Sequence, residues 1–188
     1  MRSRRRVLLP LLALLVASGC KKAPEELPDG PSLVTGSEVS VVKVAKGDEV
    51  LVRFSDTPAR VRLLGLHAFR DNDQDPAETE LSAAAVSRLA ELVAGKQAIV
   101  RFDETERDVF ARYLVYLEQG GTDVAKTLIA EGLALTYTEY GFGRESSYID
   151  AEMQARAKGI GLWVNPALAK LADELHASWA AARQKRGG

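Results

Sequence analysis

Between residues 39 and 66 the apolar positions come in short bursts separated by turn residues. Val39, Val41, Val42 and Val44 form the first burst, which ends at Gly47-Asp48. Val50, Val52 and Phe54 then alternate with Leu51 and Arg53, and Val61, Leu63, Leu64 and Leu66 make a third burst that begins at Ala59. β-Branched residues in period two, bounded by turn signals, predict strands over 39–44, 49–54 and 59–66. Strands linked this closely predict a meander or a small barrel.

Further along, the period lengthens. Asp75-Pro76-Ala77-Glu78 predicts a helix start, with Asp75 as N-cap, Pro76 as the first helical residue and Glu78 closing a capping box. Leu81, Ala85, Leu89, Leu92 and Val93 supply its buried stripe, and Gly95 ends it. Two more strands are predicted over 97–102 and 110–117. Thr122 is expected to open a helix carrying Val124, Leu128 and Ile129, closed by Gly132. Ser147 with Asp150 predicts a second capping box, for a helix stopping at Gly159. Asn165-Pro166 opens the last helix, where Leu168, Leu171, Leu175 and Trp179 share one face. That stripe is expected to pack on the domain, with docking of a protein partner as the alternative. The pattern as a whole predicts a mainly β protein, a small barrel with attached helices.

The N-terminal region follows a different rule. Arg2 to Arg6 form a basic run, Val7 to Ala17 an apolar stretch of 11 residues, and Ser18-Gly19-Cys20 a small-residue boundary. This is the layout of a secretory signal, and its apolar stretch is shorter than the roughly 20 residues needed to cross a bilayer. Val16 to Cys20 resembles the lipobox of bacterial lipoproteins, which implies cleavage before Cys20 and lipidation of that residue. A plain signal peptide and an uncleaved anchor are the alternatives. Cys20 is the single cysteine, so no internal disulfide forms. Lys21, in place of an aspartate, favours the periplasmic face of the outer membrane if the host has two membranes. The expected organisation is a signal over 1–19, a tether over 20–35 rich in Lys, Pro, Glu and Gly, a barrel domain over 36–164, and a C-terminal helix and tail over 165–188.

Loss of residues 1–19 removes four arginines, leaving 21 basic against 26 acidic residues and a formal charge of −5. That balance argues against a general nucleic-acid binder, which needs a concentrated basic face. It leaves room for local clusters that hold a phosphate.

From Val39 to Trp163 the chain resembles the staphylococcal nuclease-like (thermonuclease) family. The resemblance rests on an ordered set of pieces: Gly47-Asp48, Val61-Arg62-Leu63-Leu64-Gly65-Leu66, Gly95-Lys96, Ala111-Arg112-Tyr113-Leu114-Val115-Tyr116, Leu128 to Ala134, Ala155 to Lys158, and Gly161-Leu162-Trp163. It implies a five-stranded OB-fold barrel with three helices, to which the C-terminal helix is an addition. It also implies a calcium-dependent nuclease site in which two carboxylates hold the ion, a glutamate assists water and two arginines grip the phosphate. Cations there would neutralise charge that develops on the phosphoryl oxygens. Asp48 matches one metal carboxylate, and Arg62 and Arg112 match the arginines.

The other roles do not carry over. His67 stands for the second metal carboxylate and Arg70 for the glutamate, while Lys46 and Glu49 depart from the family turn. Calcium prefers oxygen ligands, and an arginine cannot serve as a general base. Asp71, Asp73 and Asp75 alternate like the start of a calcium loop, but Pro76 interrupts the motif. Asp48, Glu49 and His67 offer a donor set for zinc or manganese. Arg62, Arg70 and Arg112 are expected either to form an anion cradle or to pair with nearby carboxylates. Phe110, Tyr137 and Tyr140 are candidates to stack bases, whereas Thr138 stands where active relatives often carry an aromatic.

These residues support a degenerate nuclease-like domain of an envelope lipoprotein, binding an anion, nucleic acid or protein without cleavage. The alternatives are a metal-dependent phosphodiesterase with a rearranged site, needing calcium or another divalent ion, and an envelope scaffold.

Overall fold

The computed structural model describes residues 32–71 and 75–187. The expected signal, Cys20 and the tether as far as residue 31 lie outside the described residues, as does Asp73. Among the described residues no helix is long and apolar enough to cross a membrane.

The alternating bursts fold as strands β1 (Glu38–Lys46), β2 (Glu49–Phe54) and β3 (Thr57–Leu63), joined antiparallel in sequence. The short strand β4 (Leu66–His67) and helix α1 (Pro76–Val93) follow, then β5 (Gln97–Arg101) and β6 (Tyr113–Gln119). The sheet runs β3-β2-β1-β5-β6, and a parallel β3–β6 pairing closes it into a barrel. The short β7 (Thr122–Asp123) pairs antiparallel with the end of β6, and β8 (Leu135–Thr136) pairs with β4. Helices α2 (Val124–Ala130), α3 (Glu145–Lys158) and α4 (Pro166–Gly187) complete the chain, with a 3-10 turn at Gly161–Val164. This is a five-stranded OB-like barrel with added helices, as the resemblance implies.

Alternation decides what fills the barrel. Val39, Val41, Val50, Val52, Val61 and Leu63 point inward and are fully or almost fully buried, and Leu89 and Val93 of α1 cover one end. Each such aliphatic side chain contributes about 1.5–3 kcal/mol on burial. Two register shifts in β1, between Val41 and Lys43 and between Val44 and Lys46, provide the twist that closure requires. The chain enters beside β5, where the Gly36 amide donates to the Val100 carbonyl (2.8 Å) and the Phe102 amide to the Thr35 hydroxyl (3.0 Å).

Gly47 lets the β1–β2 turn press onto α1. A Cβ there would lie 2.7 Å from the Ala68 methyl and 3.0 Å from that of Ala85, closer than carbon atoms approach. This contact draws Asp48, the next residue, out of solvent.

Several boundaries differ from expectation. The third strand breaks at Gly65, whose φ of +73° suits glycine, and resumes as β4. β6 begins at Tyr113 rather than 110, because the Asp108 carboxylate accepts from the amides of Phe110 (2.9 Å) and Arg112 (3.0 Å) and curls 108–112 into a loop. Asp123, rather than Thr122, caps α2 by accepting from the Lys126 amide. The Ser147–Asp150 capping box does not form. α3 starts three residues earlier, at Glu145 with Arg144 in the cap position, and the Ser147 hydroxyl donates to the Arg144 carbonyl. The Asp75 cap is present, accepting from the amides of Ala77 and Glu78.

α4 lays its apolar stripe on the domain. Leu168, Ala172 and Trp179 are buried with Phe69, Leu135, Leu162 and Trp163 in a second core. Asn165 caps this helix by accepting from the Ala167 amide (2.9 Å).

Candidate functional site

The β1–β2 turn delivers two adjacent carboxylates to the barrel wall. Asp48 is fully buried, and both of its oxygens accept from Arg70, at 2.8 Å each. Arg62, from β3, approaches the same carboxylate more loosely, its Nε 3.5 Å from Oδ2. Glu49 accepts from Arg60 on one oxygen (2.7 Å) and from Arg112 on the other (2.7 Å). Arg112 is itself buried and also donates to Asp108 (2.7 Å). Burial pushes the Glu49 carboxyl up, but hydrogen bonds and charge from Arg60 and Arg112 outweigh this and hold it below the usual range. Burial likewise disfavours the charged Arg112, and Asp108 and Glu49 more than compensate.

The three arginines singled out in the sequence therefore gather around Asp48 and Glu49. Arg70 and Arg112 direct their forks at carboxylates, the ion-pairing arrangement. Among the described residues Arg62 has the long contact to Asp48 and the face of Tyr137, 5.9 Å from its centroid.

Calcium does not fit this donor set. Arg70 occupies both oxygens of Asp48, the carboxylate that the resemblance matches to a metal ligand, and the second matched position is His67, packed among rings. The His67 imidazole lies 5.1 Å from the Trp179 ring centroid, 5.8 Å from Phe69 and 6.4 Å from Tyr137. Burial pushes its pKa down to about 4; Asp48 opposes the shift, while Arg70 and Arg62 reinforce it. Among the described residues there is no group of three or more His, Cys, Asp or Glu side chains placed to share an ion. In the acidic loop, Asp71 accepts from the Thr79 hydroxyl (3.0 Å) and Asp75 caps α1.

Beside Arg62 opens a cleft of about 880 Å³, between the 103–110 loop and the 137–143 segment, with Gly65 on its floor. Its rim carries Phe110 and Tyr140, 69% and 56% exposed, and Tyr137 lines it beneath. Arg107 lies flat on Tyr113, 3.7 Å from the ring centroid, and also lines the cleft. One wall is braced from α4: Arg186 sits 4.1 Å over Tyr140 and donates to Glu139 (2.9 Å), and Arg183 donates to Glu145 (2.7 Å) and the Thr138 carbonyl (3.3 Å).

Sequence patterns single out neither the Arg144–Glu118–Asp123 network nor a cluster at Glu152. Glu152, buried in α3, accepts from the Thr136 amide (2.6 Å) and faces His176 Nε2 of α4 (2.6 Å). A signal was present, since His176 stands at helical spacing from Ala172 and Trp179, on the side of α4 that faces the domain.

A closed OB barrel with arginines converging on a buried aspartate defines a nuclease-type fold. The family described as staphylococcal nuclease homologue matches residues 60–165, more than half of the chain, and the chain belongs to that family. It is 30% identical over 135 residues to a micrococcal nuclease of Shigella flexneri, covering 67% of this chain and 73% of that protein. It is also 27% identical over 135 residues to Protein ParB of Escherichia coli, with 67% and 72% covered. A third relative is the SPbeta prophage-derived endonuclease YokF of Bacillus subtilis, 26% identical over 131 residues; the match covers 67% of this chain but 44% of that protein. The family match includes Arg62, Arg70 and Arg112, and ends where α4 begins.

Proposed function

We propose that this chain is a nuclease-fold binding module, held in the bacterial envelope through a lipidated Cys20 and taking an anionic, nucleotide-like ligand in the cleft beside Arg62 without cleaving it. One observation carries the reading: the Arg70 guanidinium spans both oxygens of Asp48, where family members would present carboxylates to calcium. A fixed cation there leaves neither a metal seat nor a proton acceptor for water. It also leaves Arg62, 24% exposed, as a cation lining the cleft together with Arg107, with Phe110, Tyr137 and Tyr140 offering faces to a base. Base–aromatic stacking is worth about 1–3 kcal/mol per base. The periplasmic face of the outer membrane suits the Lys21 position, and such a location would keep the domain apart from the cell's own DNA.

The test incubates the full chain in detergent with single- and double-stranded DNA and RNA, with calcium, manganese, zinc or chelator. The expected result is no metal-dependent cleavage, together with oligonucleotide binding that Arg62→Ala weakens about tenfold, the loss of one charged hydrogen bond. Metal-dependent cleavage abolished by Asp48→Ala or Arg112→Ala would overturn the reading in favour of a rearranged phosphodiesterase. Neither cleavage nor binding would leave an envelope scaffold.

A further inference from the structure

Net charge hides how the cations are distributed. The register sets Lys43, Leu51 and Arg60 opposite one another across β1, β2 and β3. The adjacent row toward the β1–β2 turn holds Lys46, Glu49 and Arg62, and the adjacent row on the other side holds Ser40, Arg53 and Pro58. Lys43, Lys46, Arg53 and Arg60 are all exposed. Glu49 is the single carboxylate in these rows, and it is buried against Arg60 and Arg112. Among the described residues, Lys43, Lys46 and Arg53 have no ion pair. Five cations thus occupy three adjacent strands, which lie about 4.8 Å apart. Glu38 and Asp56, both exposed, flank the far end.

We propose that this outer face of β1, β2 and β3 is a track for the phosphate backbone of a single-stranded nucleic acid leaving the cleft at Arg62. The inference rests on the cleft reading above and extends it from one nucleotide to a strand. Arg62 belongs to both surfaces: it lines the cleft and ends the row that contains Lys46. The aromatic rim next to it selects a ligand that offers flat bases as well as phosphates, which a lipid headgroup does not. Positive grooves that follow the backbone next to stacking side chains are the general solution for single strands. The cations are concentrated on one face despite the acidic balance of the chain as a whole, so the binding should be strongly salt-dependent.

The experiment measures binding of a tetranucleotide and of an oligothymidylate of about 16 nucleotides, the range of one OB fold, to the detergent-solubilised full chain across a salt series. The comparison is with Lys43→Ala/Arg53→Ala, whose side chains lie outside the core. The longer strand should bind more tightly, and the double variant should flatten its log–log salt slope by about 1.4, since each backbone contact on a single strand contributes about 0.7. A longer strand that binds no more tightly than the tetranucleotide, or a slope unchanged in the variant, overturns the track and leaves the cleft standing. Binding of the long strand alone, sensitive to the variant, supports the track and removes the cleft. Absence of binding by either strand at low salt overturns both. Variant-sensitive binding to phosphatidylglycerol vesicles, without oligonucleotide binding, reassigns the face to lipid and overturns the proposal.

Discussion

Arg70 and Asp48 form a parallel two-bond fork, with the carboxylate wholly removed from solvent and the guanidinium reaching it from a partly open side. The pair is a permanent substitute for a dissociable cation, because an arginine keeps its charge throughout the working pH range.

Removing one partner should cost more than removing both. Arg70→Met leaves a buried charge, relieved only in part by Arg62 at 3.5 Å. The expected loss is about 2–3 kcal/mol, below the ~3–5 kcal/mol of a fully buried pair because Arg70 is half-exposed. Asp48→Asn/Arg70→Met should recover most of that loss. Urea unfolding of the two variants measures the difference, and equal losses would show that the fork does not hold the turn.

His67 should give the fold a pH dependence in the mildly acidic range. Its folded pKa, about 4, is below the unfolded value of 6.5. The unfolded chain therefore takes up the proton first, so the stability tied to the neutral imidazole is complete above about 6.5 and is lost as pH falls toward 4. The slope approaches about 1.4 kcal/mol per pH unit within that window. His67→Phe should flatten it between pH 5 and 6.5, read from urea midpoints at each pH; an unchanged slope would assign the effect to other groups.

Trp179 is the apolar contact of α4 with the site, beside the polar braces from Arg183 and Arg186, its ring 5.0 Å from Tyr137 and 5.1 Å from His67. Trp179→Ala should cost about 3–5 kcal/mol, the usual range for a buried aromatic. It should also speed amide exchange in residues 137–140, which hold one wall of the cleft. Exchange confined to α4 would mean that the helix and the wall are independent.

Lipidation at Cys20 predicts that Cys20→Ala moves the protein from the membrane fraction to the soluble fraction and abolishes incorporation of labelled palmitate. Retention in the membrane without label would point to an uncleaved apolar anchor instead.

Much of the barrel was legible because a strand writes its burial every second residue, as in Val50, Val52 and Val61. The start of α1 was equally plain, since Asp75 and Pro76 act within one turn of backbone. Boundaries failed where a side chain intervened: the Asp108 carboxylate removed residues 110–112 from β6, and no local pattern announces that. The site was half legible. The resemblance brought Arg62, Arg70 and Arg112 to one place, but not their partners: the Arg70–Asp48 fork joins residues 22 apart and the Arg112–Glu49 pair residues 63 apart. Such pairings follow from register. So does the cationic face, which summed charge conceals because the carboxylates are spread over other surfaces.

The way the chain enters the barrel has a mechanical consequence. The first described residues are fastened to β5 through Gly36 and Thr35, and β1 then runs between β2 and β5. A pull arriving from the N-terminal side loads two ladders together, so β1 must shear past both neighbours before it can leave. α4, by contrast, is held to the other described elements through its side chains and would peel away first under a pull from the other end. A tether on the N-terminal side, of the kind proposed for Cys20, would therefore load the β1 ladders rather than α4.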